Sequence, residues 1–308
     1  MDEYLLEPER ITLRAYQNLN IDGLVDLMIP KNEDGYRLID HSNYARSVPI
    51  SFDECIAKIE DSSTPEQVES SFDFESEYRE FKQSLLRMQE LCDEMVWMPA
   101  QWTAGARADW YIDIGYENYF LIIGGYPKIA RKLMELGDAH GRNHFRIVAC
   151  AVKEEIYPKA ILLGNDLCTQ RGPMISPDFL EKYYAPQLKY GLEPLLEVGC
   201  KPVWHCDGDC RLILDMLIDC GVQGFQGFQS ECGMHLESII RKKTKDKKPL
   251  LIFGPISVTS ELPVCSPNEI TSKVKQAKLN KQLKYVKTKL ILFCLLQTLL
   301  IQMFQLKM

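Results

Sequence analysis

Three short stretches of this 308-residue chain gather side chains of the kinds that bind and react. The first is Gly164-Asn165-Asp166-Leu167-Cys168-Thr169-Gln170-Arg171-Gly172-Pro173. It sets a carboxylate, two amides and a guanidinium between glycines, and the planar donor fork of Arg171 suits an anionic ligand. A simpler role is an internal ion pair between Asp166 and Arg171. The second is His205-Cys206-Asp207-Gly208-Asp209-Cys210. Side chains alternate along a strand, so His205 and Asp207 share one face and Cys206 takes the other. An imidazole near a carboxylate suits zinc binding or acid–base work. Cys206 and Cys210 are soft potential ligands that would favour zinc, while the simpler reading has Asp209 capping the next helix, Asp207 shaping a turn, and the thiols packing as small apolar groups. The third, Gln226-Gly227-Phe228-Gln229-Ser230-Glu231, adds amides and a carboxylate.

Each stretch ends a short apolar run, as buried parallel strands do. Strands are expected at 160–164, 202–205, 222–228 and 250–253. Ser176-Pro177-Asp178 supplies an N-cap, a proline at the first helical position and an acid in the first turn. That helix should run to about Val198, stop at Gly199 and be interrupted at Pro186 and Pro194. Residues 209–219 read as the next helix, and Ser266-Pro267-Asn268-Glu269 as a capping box. Strands alternating with helices imply a parallel sheet, whose ligands sit at the carboxyl ends of its strands. The first hundred residues are less regular. They suggest a turn-rich acidic region around Asp34-Gly35 and Pro49, a loop at 62–66 before a short helix, a long helix at 74–93 and a strand at 95–98. Helices follow at 116–123 and 127–136, separated by Gly124-Gly125. There is no internal repeat.

Composition narrows the classes. Hydrophobic residues at 46% and charged residues at 26% suit a soluble globular enzyme. A net charge of −7 offers no basic field for nucleic acid. The opening Met1-Asp2-Glu3-Tyr4 lacks a basic n-region, so no signal peptide is expected. Eleven irregularly spaced cysteines fit free thiols in a reducing cytoplasm. Charge is uneven: eight lysines and no acid follow Glu269, so residues 1–269 carry −15. The apolar stretch 290–306 contains three glutamines and falls short of the ~20 residues a membrane span needs. It is expected to form a helix on the body or to be foreign to the fold, with a membrane anchor the weakest reading.

With these residues in view, the chain resembles the uroporphyrinogen decarboxylase superfamily, nearer its corrinoid-linked methyltransferase branch. Residues 164–177, GNDLCTQRGPMISP, carry the most specific similarity. It continues through His205-Cys206-Asp207-Gly208, residues 221–234, Phe253-Gly254-Pro255-Ile256-Ser257 and Leu262-Pro263. Upstream, Tyr116-Glu117-Asn118-Tyr119-Phe120 and Pro127 also match. The resemblance spans about residues 96–269.

The resemblance implies an α/β fold, a TIM (β/α)8-type barrel with its site at the carboxyl-end mouth. Barrel sequence covers 1–272, is incomplete at both ends, and a divergent tail covers 273–308. It implies methyl transfer between a corrinoid protein, or a small-molecule donor, and a thiol or other acceptor. The rivals are cofactor-free decarboxylation of a tetrapyrrole in porphyrin biosynthesis, and an inactive corrinoid- or tetrapyrrole-binding module. The decarboxylases' Arg-rich N-terminal segment is absent, and the acidic body argues against a polycarboxylate substrate. The methyltransferases hold zinc with a His-x-Cys pair and a distant Cys. Here His205 matches the first ligand, Asp207 stands where the Cys belongs, and Ser257 replaces a family Asp. The expectations are therefore a divalent metal, zinc foremost, on His205 and Asp207, and no nucleotide cofactor. Asp166 and His205 are the expected catalytic residues, and Asn165, Gln170, Arg171 and Gln229 the substrate-binding ones.

Overall fold

The computed structural model describes residues 7–19, 21–27, 50–101, 107–227, 229–254, 256–257 and 259–279. Its frame is a set of parallel strands laid side by side in chain order. β1 (Gly23–Leu24) pairs with β2 (Val96–Trp97). Just past β2, Gln101 bridges in parallel to Leu163, and its N–H donates to Leu162 O at 2.8 Å. That step joins the first pair to β3 (Ala160–Gly164), which is followed by a small antiparallel hairpin, β4 (Cys168–Thr169) with β5 (Gly172–Pro173). β3 then pairs with β6 (Lys201–His205), β6 with β7 (Gly224–Gln226), and β7 with β8 (Leu251–Phe253), all in parallel. The middle strands are apolar on both faces because both are covered: Ile161, Leu163 and Val203 are fully buried, and Trp204 nearly so. Among the described residues, β1 pairs with β2 alone and β8 with β7 alone. The chain is thus mixed α/β around a parallel sheet.

Helices fill the intervals. α1 (Pro8–Asn18), α2 (Phe52–Asp61), α3 (Pro65–Ser70) and α4 (Phe74–Cys92) precede β2. α5 (Tyr111–Ile114), α6 (Tyr116–Gly125) and α7 (Pro127–Lys153) lie between β2 and β3. A short helical turn at Pro177–Phe179, α8 (Ala185–Glu197), α9 (Leu214–Cys220), a 3-10 turn at Ser230–Cys232, α10 (Leu236–Ile239) and α11 (Pro267–Leu279) follow. Ser51 caps α2, Thr64 and Gln67 form a capping box on α3, and Ser176 accepts from Phe179 N–H at 3.2 Å. Ser266 and Glu269 close the capping box expected there.

Several boundaries differ from the sequence reading, each for a local reason. The helix expected at 127–136 continues to Lys153, since Gly137 serves packing: a Cβ there would stand 2.8 Å from Arg107 N. α6 runs through Gly124-Gly125 and ends only where Pro127 begins the next helix. Before Pro186 the chain widens into a π-helical turn, Leu180–Tyr184, and Ala185 N–H reaches back to Leu180 O. The wider turn accommodates a proline that cannot donate. The helix expected from Asp209 starts instead at Leu214, because Asp209 accepts from Arg211 N–H and shapes a turn. β7 is shorter than the run 222–228. Of the tail, residues 273–279 belong to α11, and the expectations for 280–308 lie outside the described residues.

Candidate functional site at the carboxyl ends of β3, β6 and β7

The in-register pairing of Gly164 with His205 and of His205 with Gln226 brings three strand ends level. Gly164 permits this: a Cβ there would lie 2.1 Å from His205 O. His205 is three-quarters buried, and its Nδ1 hydrogen-bonds Gln226 Oε1. With Gln226 accepting, the ring proton sits on Nδ1, and Nε2 faces Asp166 Oδ1 at 4.0 Å. A ring nitrogen lone pair opposite a carboxylate is completed by a proton or a cation between them. Asp207 is exposed as a residue, yet burial of its carboxyl pushes its pKa up, against a lowering by His205. Asp166 and Glu231 also act on it, both raising it. Asp166, His205 and Asp207 therefore form one interacting group of an imidazole and two carboxylates.

The other expected site residues have different surroundings. Asn165 is buried, and its Oδ1 accepts from Ala108 N–H at 3.4 Å and Tyr184 O–H at 3.3 Å. It holds the strand end to its neighbours. Gln229 Oε1 accepts from Gly208 N–H at 2.7 Å and from the Cys232 thiol at 3.6 Å, bracing one loop against another. Gln170 and Arg171 lie exposed at the tip of the β4–β5 hairpin. Among the described residues, Arg171 makes no ion pair with Asp166. Glu231 accepts from the hydroxyls of Ser257 at 2.8 Å and Ser260 at 2.9 Å, tying the end of β7 to the segment beyond β8.

A second grouping adds Cys168 to two of the thiols that the sequence offers as soft ligands. The sulfurs of Cys168, Cys206 and Cys210, all buried, lie within 4.8 Å of one another. The hairpin makes the meeting: Asp209 N–H donates to Thr169 O at 2.9 Å. Gly208, at φ +84°, comes so close that a Cβ would stand 2.4 Å from that oxygen. Side-chain alternation sends Cys206 away from His205, and its Sγ accepts from Leu167 N–H at 3.3 Å. Hydrogen bonds with Cys206 and then Cys210 hold the Cys168 pKa below the usual thiol range, and hydrogen bonds with Cys168 and Cys206 raise that of Cys210. The available sequence signal was a cysteine shortly after each of two consecutive strands, with a Cys-x3-Cys spacing in the second. It was hidden because Cys168 meets the pair only through the hairpin.

No family model, curated protein or solved structure matches the chain.

Proposed function

We propose that the chain is an α/β-barrel enzyme of the uroporphyrinogen decarboxylase type, nearer the methyltransferase branch, working at the ends of β3, β6 and β7. The observation that carries this reading is His205 set between Gln226 and Asp166, with Asp207 beside it. The six parallel strands in chain order are what an arc of such a barrel looks like.

The nitrogen and carboxylate donors fit a divalent ion, zinc or a harder cation, held by His205 and Asp207 with Asp166 adjacent. When bound, such an ion polarises a substrate or lowers the pKa of an acceptor thiol. Gln226 fixes the ring and its tautomer. Asp166 takes the proton the acceptor releases, while His205, held by Gln226, and Asp207 orient the acceptor through the ion. Gln170 and Arg171 offer donors to an anionic substrate from the hairpin tip. The partners on this reading are a corrinoid protein or small methyl donor and a small acceptor. No nucleotide or nucleic acid enters. No helix among the described residues is long and apolar enough to cross a membrane. The ten described cysteines are all free thiols, which supports a reducing, cytoplasmic setting.

The test is methyl transfer. Zinc-loaded protein, given methylcobalamin and a small thiol, should form the methyl thioether, and His205→Ala and Asp166→Asn should each lose it. Failure of the wild type to demethylate methylcobalamin, with coproporphyrinogen formed from uroporphyrinogen instead, would assign the site to decarboxylation.

A further inference from the structure

We propose that Cys168, Cys206 and Cys210 form a second metal centre, a three-thiolate site for a divalent d10 ion such as zinc. Cys206 follows His205 in sequence but turns its side chain to the other face of the strand end, and the proposal does not depend on the catalytic reading. Three observations converge. The sulfurs come from two segments far apart in sequence and lie within 4.8 Å of one another. Zinc–sulfur bonds of about 2.3 Å set tetrahedral sulfurs ~3.8 Å apart, so small side-chain rotations close the gap. Cys206 and Cys210 flank Asp207-Gly208-Asp209, a Cys-x3-Cys turn of the length structural zinc sites use, with glycine at the left-handed position. Finally, Leu167 N–H already points at Cys206 Sγ, a donor that stabilises sulfur once it is anionic.

Ligand chemistry selects the ion. Among the described residues, no imidazole or carboxylate joins the trio, so the set is soft and excludes magnesium or calcium. The three thiols release their protons to solvent on coordination. A divalent ion leaves one net negative charge in this buried place and a monovalent ion two, so the divalent ion is preferred. A solvent molecule or a substrate thiol takes the fourth position. The structural effect is a clip: the ion fastens the β4–β5 hairpin, with Gln170 and Arg171 at its tip, to the turn after β6.

The experiment loads the full chain, purified under reductant, with zinc(II) or cadmium(II) alone. X-ray absorption at the metal edge should show a shell dominated by three sulfurs, and cadmium should give a thiolate charge-transfer band. Cys168→Ser and Cys210→Ser should lose the band, whereas Cys200→Ser, altering a buried thiol elsewhere, and His205→Ala should retain it. The wild-type sulfur shell needs no variant to fold. A nitrogen–oxygen shell in the wild type, a band that survives in folded Cys168→Ser, or an intact disulfide within the trio under reductant would overturn the proposal.

Discussion

Asp138 shows how one side chain sets a pH response far from the strand ends. It sits within α7 at 2% exposure, and among the described residues its Oδ1 has no hydrogen-bond partner. Burial pushes its pKa from 3.8 to about 8, with Arg142 opposing the shift and Glu69 and Glu193 adding to it. The folded protein therefore holds a proton that the unfolded chain has released above pH 3.8. This contribution is full below the unfolded pKa and is lost as pH rises towards 8. Its size is on the order of a few kcal/mol. Urea unfolding from pH 4 to 8 should show a decline in stability that Asp138→Asn removes. An unchanged slope in the variant would place the response elsewhere.

Among elements, the β4–β5 hairpin depends most on a single glycine. Gly208 combines φ +84° with the close approach to Thr169 O, so Gly208→Ala should strain the backbone and push the hairpin off the turn. The cost should be on the order of 2 kcal/mol or more. Denaturant unfolding should show the loss, and alkylation should find Cys168 more reactive. The same element marks where the sequence was readable and where it was not. Strands 160–164 and 202–205 and the caps at Ser176 and Ser266 were legible because hydrophobic runs and capping residues act within a few positions. Asp166 and His205 come near one another because adjacent parallel strands bring their ends level, whereas Arg171, expected in the same site, lies exposed at the hairpin tip. α1, α2 and the hairpin were missed, although Ser51 before two acids signalled α2. Asn165 and Gln229 were read as ligand contacts, but Oδ1 and Oε1 are engaged by Tyr184 and Gly208. A polar residue after a strand carries the same signature whether it meets a substrate or a neighbouring loop. Only tertiary packing separates the two.

Over the whole molecule, pairing is strongest at the centre of the sheet. β3 and β6 share five paired positions, whereas β1 and β2 share two. Amide hydrogen exchange should therefore be slowest at Leu162, Leu163 and Val203 and faster at Leu24 and Trp97. Equal protection across the strands would contradict the unequal pairing. The chain-order arrangement of the strands also bears on how the protein is made. From β2 onward each strand of the frame docks on the edge left by the one before it, whereas β1 waits for β2. The polypeptide can add strands to one growing edge of the sheet as it leaves the ribosome. Cys168 then emerges and folds before Cys206 and Cys210 are translated, so the thiol cluster is completed by its last two members. A ribosome stalled between positions 174 and 205 would carry the hairpin residues without the turn that holds them.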